Sequence, residues 1–362
     1  MSPRDEALRL WHAAVAAVDG YDATARALSG HAPDRILAVG KAAGPMARAA
    51  LDHYGNVPCL VVTKDGHGEG LPDHAQLIEA AHPVPDERSL EGGAALRAAV
   101  EAMTEGSRLL LLVSGGASAL AEDPVEGETL ESLAALNNRL LAAGLDIGAM
   151  NAQRRKVSRI KGGGLLSRFP GAMVQVLAIS DVPRDDIAVI GSGIGAAPEA
   201  PGFSYDCRIV ASNRIARDTA AHAAGHVIAN EECLYDDVSV LAPRIGARLR
   251  EMPPGALILG GEPTVKLPEM PGHGGRNQAL ALELAREIAG VPDLTVVVGG
   301  TDGTDGPTDA AGGVVDGETW TDEGTDALAR ADSGSFLEAR KALLITGPTG
   351  TNVMDLLVAV KA

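Results

Sequence analysis

Short apolar runs alternate with longer amphipathic stretches along this chain, and most of the runs close on glycine and small polar residues. Runs of this length rich in Val, Ile and Leu read as buried strands, and apolar spacing of three and four residues reads as helix. Strands are predicted at 35–39, 59–63, 77–81, 108–113, 173–179 and 207–211, then at 256–259, 294–298, 343–346 and in the last apolar segment. Helices are predicted at 6–28 with a break at Gly20, after Gly44, and at 88–103, 130–143, 148–157, 214–228 and 278–289. Strands alternating with helices imply mostly parallel sheets covered by helices. The expected fold is α/β: two α/β domains, residues 1–240 and 241–362, with mostly parallel sheets and an interdomain cleft. The first helix could pack on either domain. The Gly-, Pro- and Ala-rich stretch 191–205 reads as a long loop or hinge.

A length of 362 residues suits about two domains. The formal net charge of -17 and an aromatic content of 2% argue against a nucleic-acid backbone and stacked bases as the main partner. An anionic small molecule is still allowed, because a few local cations can dominate one cleft. Cys59, Cys207 and Cys233 lie far apart and suggest neither a zinc site nor a disulfide framework. No uncharged stretch is long enough to span a bilayer, and the N-terminus leads into an amphipathic helix. The expectation is a cytoplasmic protein with no membrane or nucleic-acid partner.

Candidate chemistry sits where predicted strands end. Gly299 to Asp309 follows an apolar strand and carries Asp302, Asp305 and Asp309 on a glycine-rich loop, the place where open α/β sheets bind ligands. Such carboxylates can hold a hard cation, although Asp, Gly, Pro and Thr are also ordinary turn residues. Gly40-Lys41-Ala42-Ala43-Gly44 is a strand-to-helix turn with a lysine suited to a phosphate or carboxylate, but it is neither a P-loop nor G-x-G-x-x-G. Ser114, Gly115, Gly116 and Ser118 offer hydroxyls and bare amides in a second such loop, without the G-x-S-x-G of an exposed nucleophile. Between Asn151 and Gly164 lie five cations; Arg154, Ser158 and Lys161 fall three or four apart, as on one helix face. Asp181 and Glu262 each end a strand, just before Val182-Pro183 and Pro263. Arg276 opens a helix after two glycines, against the helix dipole, which favours a ligand role. His82 reads as structural.

Taken in order, these segments resemble the class II glycerate kinases, the family with a C-terminal MOFRL domain, some of which have carried the label hydroxypyruvate reductase. The resemblance rests on Val39 to Ala43, Val61 to Lys64, His82 to Asp86, Ser114 to Leu120, Asn151 to Gly163 and Ile179 to Val182. It continues through Gly261 to Val265, Gly272 to Gln278, the Asp loop, and Thr346 to Val353. It covers nearly the whole chain. Two departures stand out: Arg184 where the family usually has glycine, and Ile194-Gly195 where it usually has Pro-Thr.

The resemblance implies ATP- and Mg2+-dependent phosphorylation of D-glycerate at its 2-hydroxyl, giving 2-phosphoglycerate. It carries active-site roles to Lys41, Asp181, Glu262, Arg276 and Asn352. Substrate or phosphate contacts are expected from Ser114, Gly115, Gly116, Ser118, Asn151, Arg154 and Lys161, and metal contacts from Asp302, Asp305 and Asp309. A kinase for a related small hydroxy acid and a non-catalytic acid-binding protein are alternatives. An NAD(P)-dependent hydroxypyruvate reductase is another, and it predicts a dinucleotide fingerprint that is not found. A homodimer is left open.

Overall fold

The computed structural model describes residues 1–142 and 147–362, with side chains described outside 137–138 and 141–151. Contacts divide the chain into two compact units: Gly20–Ser212, and Met1–Asp19 together with Asn213–Ala362. Helix α1 (Pro3–Ala17) opens the second unit. Ser2 caps it by accepting the Asp5 N–H at 3.1 Å, and Pro3 takes the first turn, where its missing N–H costs nothing. Leu10 and Trp11 are fully buried on its apolar face, which packs against elements of the C-terminal part.

The first unit runs α2 (Gly20–Ala27), β1 (Arg35–Val39), α3 (Ala43–Tyr54), β2 (Cys59–Lys64), β3 (Gln76–Ala80), α4 (Glu87–Glu101), β4 (Arg108–Val113), α5 (Ala117–Leu120), α6 (Leu130–Ala142), α7 (Ile147–Lys156), β5 (Met173–Ile179) and β6 (Ser204–Ala211). Its sheet has the order β3-β2-β1-β4-β5-β6, and every pair is parallel. Sequences such as Leu109 to Val113 are buried on both faces, which is why they read as unbroken apolar runs. From β1 the chain winds one way to β3, and from β4 the other way to β6. The reversal between β1 and β4 leaves a crevice beyond their carboxyl ends.

The second unit continues with α8 (Asn213–Ala223), β7 (Val227–Leu234), α9 (Val238–Glu251), β8 (Gly255–Gly261), α10 (Arg276–Glu287), β9 (Leu294–Gly300), β10 (Gly312–Asp316), α11 (Glu323–Ala329), α12 (Ser333–Ala339), β11 (Leu343–Leu344) and β12 (Asp355–Lys361). Its sheet order is β11-β10-β9-β12-β8-β7. Strands β7, β8, β9 and β11 run one way, and β10 and β12 run against them. The last strand, β12, inserts antiparallel between β8 and β9, so only β7 and β8 pair in parallel. Helix α10 is buried from Asn277 to Ala285 and forms the core on one face.

The division between Ser212 and Asn213 falls ahead of the boundary expected at 240. Strand β7 pairs with β8, and α8 packs on both, so these residues join the C-terminal sheet. The expected helix 214–228 stops at Ala223, and β-branched Val227 and Ile228 begin β7. Among the described residues no helix is long and apolar enough to cross a membrane.

Candidate active site

In the first unit, the carboxyl ends of β1 and β4 are tied by hydrogen bonds of their loops, and the end of β5 lies against them. Lys41 N–H donates to the Gly115 carbonyl at 2.9 Å, and Ala42 N–H donates to Ser114 Oγ at 3.0 Å. The loop after β4 must be glycine here. A Cβ on Gly115 would lie 2.1 Å from Asp181 Oδ2, and one on Gly116 (φ +80°) 3.0 Å from Lys41 Cγ and 3.1 Å from His82 Nε2. Lys41, His82 and Asp181, from three separate loops, therefore crowd around two residues that carry no side chain.

Next to them is a cavity of about 200 Å³, lined by His82, Gly116, Ser118, Glu122, Arg154 and Lys161, with Leu133 and Leu136 as apolar wall. Lys161 and Glu122 form an ion pair whose side chains are 6% and 5% exposed, so the lysine charge is spent on the glutamate. Burial brings Arg154 down from its ordinary pKa, with Glu122 partly offsetting it. The guanidinium stays charged at any working pH. Ser118 Oγ lies 2.9 Å from Ser192 Oγ.

Two expectations change. Ser114 is fully buried, and its hydroxyl serves the Ala42 amide, so it stitches strand ends and does not face a ligand. Arg154, Ser158 and Lys161 do not share a helix face, because α7 ends at Lys156 and Ser158 bridges to Pro124. Arg154 and Lys161 reach the cavity from a helix end and the loop beyond it. The side chain of Asn151 lies outside the described residues.

In the second unit, Arg276 is the first residue of α10. Its Nε donates to Asp355 Oδ2 at 2.7 Å and its Nη1 to Glu262 Oε1 at 2.8 Å. Burial works against the charge, but Asp355 and then Glu262 overcome it and hold the guanidinium above its ordinary pKa. Burial raises the Asp355 carboxyl, while Arg276 and Asn277 pull it back. Asn277 Nδ2 donates to Asp355 Oδ1 at 3.0 Å. Gly275, in the capping position of α10, brings no side chain. Asp305 caps the helix from a distant loop, accepting the Asn277 N–H at 3.0 Å and the Gln278 N–H at 2.8 Å.

The Asp loop is laced to the 346–353 loop. Thr301 Oγ1 accepts the Val353 N–H at 2.8 Å and donates to the Met354 carbonyl at 2.7 Å. Asn352 Oδ1 accepts the Met354 N–H at 3.4 Å. The expected metal trio does not gather. Asp305 is spent on the amides of α10, Asp302 Oδ1 accepts from Thr304 N and Oγ1 at 3.1 Å each, and Asp309 lines a different cavity with His273 and Glu338. Among the described residues no group of three or more His, Cys, Asp or Glu could hold a metal ion. Asp302 has a different neighbour: a Cβ on Gly300 would lie 3.3 Å from its Oδ1 and 3.4 Å from Asp355 Oδ1.

Residues 6–227 match the model of a domain of unknown function, DUF4147, and residues 255–355 match the MOFRL family. The D-glycerate 2-kinase of Thermotoga maritima is 36% identical over 90% of this chain and 90% of its own. The glycerate 2-kinase of Pyrococcus horikoshii is 32% identical over 99% and 98%. The chain belongs to the class II glycerate kinase family. A crystal structure of glycerate kinase from Thermotoga maritima superposes with a TM-score of 0.87, at 32% identity and 99% of both chains.

Within this class II glycerate kinase fold, two residues outside the sequence expectation join the polar clusters. Asp355 was hidden at the head of an apolar strand; its signal is a lone carboxylate opening the run Leu356 to Val360. Glu122 was hidden in the segment after α5, and only the buried Lys161 beside it reveals its use.

Proposed function

We propose that this chain transfers the γ-phosphoryl group of ATP, as its Mg2+ complex, to the 2-hydroxyl of D-glycerate, giving 2-phosphoglycerate. The observation that carries the reading is the convergence of Lys41 and Asp181 on Gly115-Gly116, at the sheet reversal and beside a cavity lined by the half-buried Arg154. Family membership and relatives named glycerate 2-kinase over nearly their whole length support it. The cavity, at about 200 Å³, is smaller than pockets that hold drug-sized ligands, roughly 300 Å³ and upward. It suits a three-carbon acid and not a nucleotide.

Phosphoryl transfer asks the protein mainly for positioning and for charge against the transferring oxygens. Asp181 holds the 2-hydroxyl and takes its proton. Arg154 and Ser118 bind the acid's carboxylate, with Lys161 neutralised by Glu122. Lys41 faces the oxygens of the transferring group, with the amides of the Gly115-Gly116 loop. In the second unit, Arg276 and Asn352 serve the nucleotide phosphates.

The residues fit a metal that arrives with its nucleotide. Mg2+ keeps several waters and needs one or two carboxylates plus phosphate oxygens, not an all-protein cage. Asp302 and Glu262 are the carboxylates that suit it, and when bound it neutralises charge on the β- and γ-phosphates.

The strand order of the first sheet is also that of dinucleotide-binding folds. The turn after β1 puts Lys41 in place of the glycine fingerprint. The acid at the end of β2, Asp65, is held by Arg88 through contacts of 2.5 and 3.0 Å. Both observations disfavour a nicotinamide reductase. Incubation with D-glycerate and ATP-Mg2+, in parallel with hydroxypyruvate and NAD(P)H, decides between the two. ADP and a phosphoglycerate are expected from the first; cofactor oxidation in the second without ADP in the first would overturn the proposal.

A further inference from the structure

We infer that Asp355 is the positioning residue that aims Arg276, leaving Nη2 of that arginine as the donor presented to phosphoryl oxygens. The inference rests on the kinase reading and adds a residue to it. A guanidinium has five N–H donors in a fixed fork, so fixing two edges fixes the direction of the third. Nε is taken by Asp355 and Nη1 by Glu262, while Nη2 donates to nothing among the described residues. The arginine side chain is 34% exposed, so it is open in part to a ligand.

The two carboxylates that hold it differ in kind. Glu262 is 48% exposed on a loop, and its hold is weakened by water and screened by salt. Asp355 is 3% exposed and sits in a strand paired on both sides. It heads β12, in register with Gly261 of β8 on one side and Gly300 of β9 on the other. Asn277 Nδ2 fixes its Oδ1, and Asn213 Nδ2 fixes its backbone carbonyl at 3.0 Å. The register also explains the site's composition. The residue after Gly261 is Glu262, and the second after Gly300 is Asp302, so the head of one central strand lies beside the loops that carry both carboxylates.

This arrangement lets Glu262 yield to an incoming anion or metal while Asp355 keeps the guanidinium in place. Charge-assisted bonds to a buried, fully hydrogen-bonded carboxylate are the strong ones. A residue that acts only through Arg276 should have no effect once Arg276 is gone, and a double-mutant cycle reads that directly.

The test is steady-state kinetics with ATP-Mg2+ and D-glycerate on wild type, Asp355→Asn, Arg276→Ala and the double variant. The expected result is a fall in kcat of at least ~30-fold for Asp355→Asn, about 2 kcal/mol by the tenfold-per-1.36 rule, with KM for glycerate within about 3-fold. The double variant should be no worse than Arg276→Ala alone. Multiplicative losses, or wild-type kcat in Asp355→Asn, overturn the inference. Should Asp355→Asn not fold, Arg276→Ala carries the test. Guanidinium ion should raise its kcat at least ~10-fold by seating between Asp355 and Glu262, whereas ammonium should not. No rescue, or equal rescue by ammonium, also overturns it. Wild type that releases no ADP sinks the kinase reading instead, so the two failures are told apart.

Discussion

The carboxylate of Asp305 receives the backbone N–H of Gln278 at 2.8 Å and so closes the N-terminus of α10 from a loop 27 residues away. With the Asn277 N–H on its other oxygen, it does the work of a capping side chain that Gly275 lacks. Burial pushes this carboxyl up to about 6, against the pull of the two amides. Unfolded, it titrates near 3.8. Between these values the folded chain binds more protons, so this group's contribution to stability falls as pH rises through the window and is flat above it. Asp305→Asn cannot ionise. The stability of wild type minus that of the variant should therefore shrink by up to about 3 kcal/mol from about pH 4 to about pH 7. Denaturant titrations of both proteins across that range measure it. A gap that widens with pH would mean that the amides hold the carboxyl ionised.

Lys41 and Arg276 each carry a charge toward a transferring group in the proposed reaction. Lys41→Ala and Arg276→Ala should each lower kcat/KM at least ~10²-fold, about 3 kcal/mol of transition-state stabilisation. Thermal unfolding should change little for Lys41→Ala, since its backbone contacts to Gly115 remain. Near-wild-type kinetics for either variant would remove that side chain from the reaction.

Much of the first unit was legible because its inner strands β1, β2, β4 and most of β5 are buried on both faces and read as unbroken apolar runs. Lys41 was visible on a glycine-rich turn and Asp181 as a carboxylate ending a strand, although no sequence rule tells that Gly115 brings them together. The second unit was harder. β10 contains Gly312 and Gly313 and only three further residues, too little for a strand signal, and β12 pairs with strands far earlier in the chain. Asp305 was misread as a metal ligand because a turn aspartate and a remote helix cap look alike in sequence. Ser114 was misread because a hydroxyl beside glycines can face a ligand or a neighbouring backbone, and only the fold chooses.

Arg184 stands at φ 67°, in the left-handed region, where a side chain costs about 1–2 kcal/mol. It is the position at which the family usually has glycine. Arg184→Gly should stabilise the protein by about 1 kcal/mol, the strain relief less the added freedom of an unfolded glycine. A rise of a few degrees in Tm reads this. An unchanged or lower Tm would mean that the arginine's own contacts offset the strain.

Chelation should separate the nucleotide's metal from the fold. With EDTA in excess of divalent cation, ADP release should stop, while Tm stays within about 1 °C, because no described carboxylate group forms a metal cage that folding could depend on. Restored Mg2+ should restore the rate. A large fall in Tm on chelation would show a structural ion instead.

Glu122 and Lys161 are a buried pair at the wall of the acid cavity, and their charges cancel. Removing one partner strands the other in a dry place, whereas removing both charges does not. Lys161→Met should therefore cost about 3–5 kcal/mol of stability, and Lys161→Met with Glu122→Gln should recover most of it. The same pair tests how the cavity reads its ligand. If Arg154 supplies the cation for the acid's carboxylate, the doubly neutral variant should keep its KM for glycerate within about 3-fold, while Arg154→Ala should raise it at least ~10-fold. A doubly neutral variant that folds but loses glycerate affinity as Arg154→Ala does would place Lys161 on the substrate, with Glu122 giving it up when the acid binds.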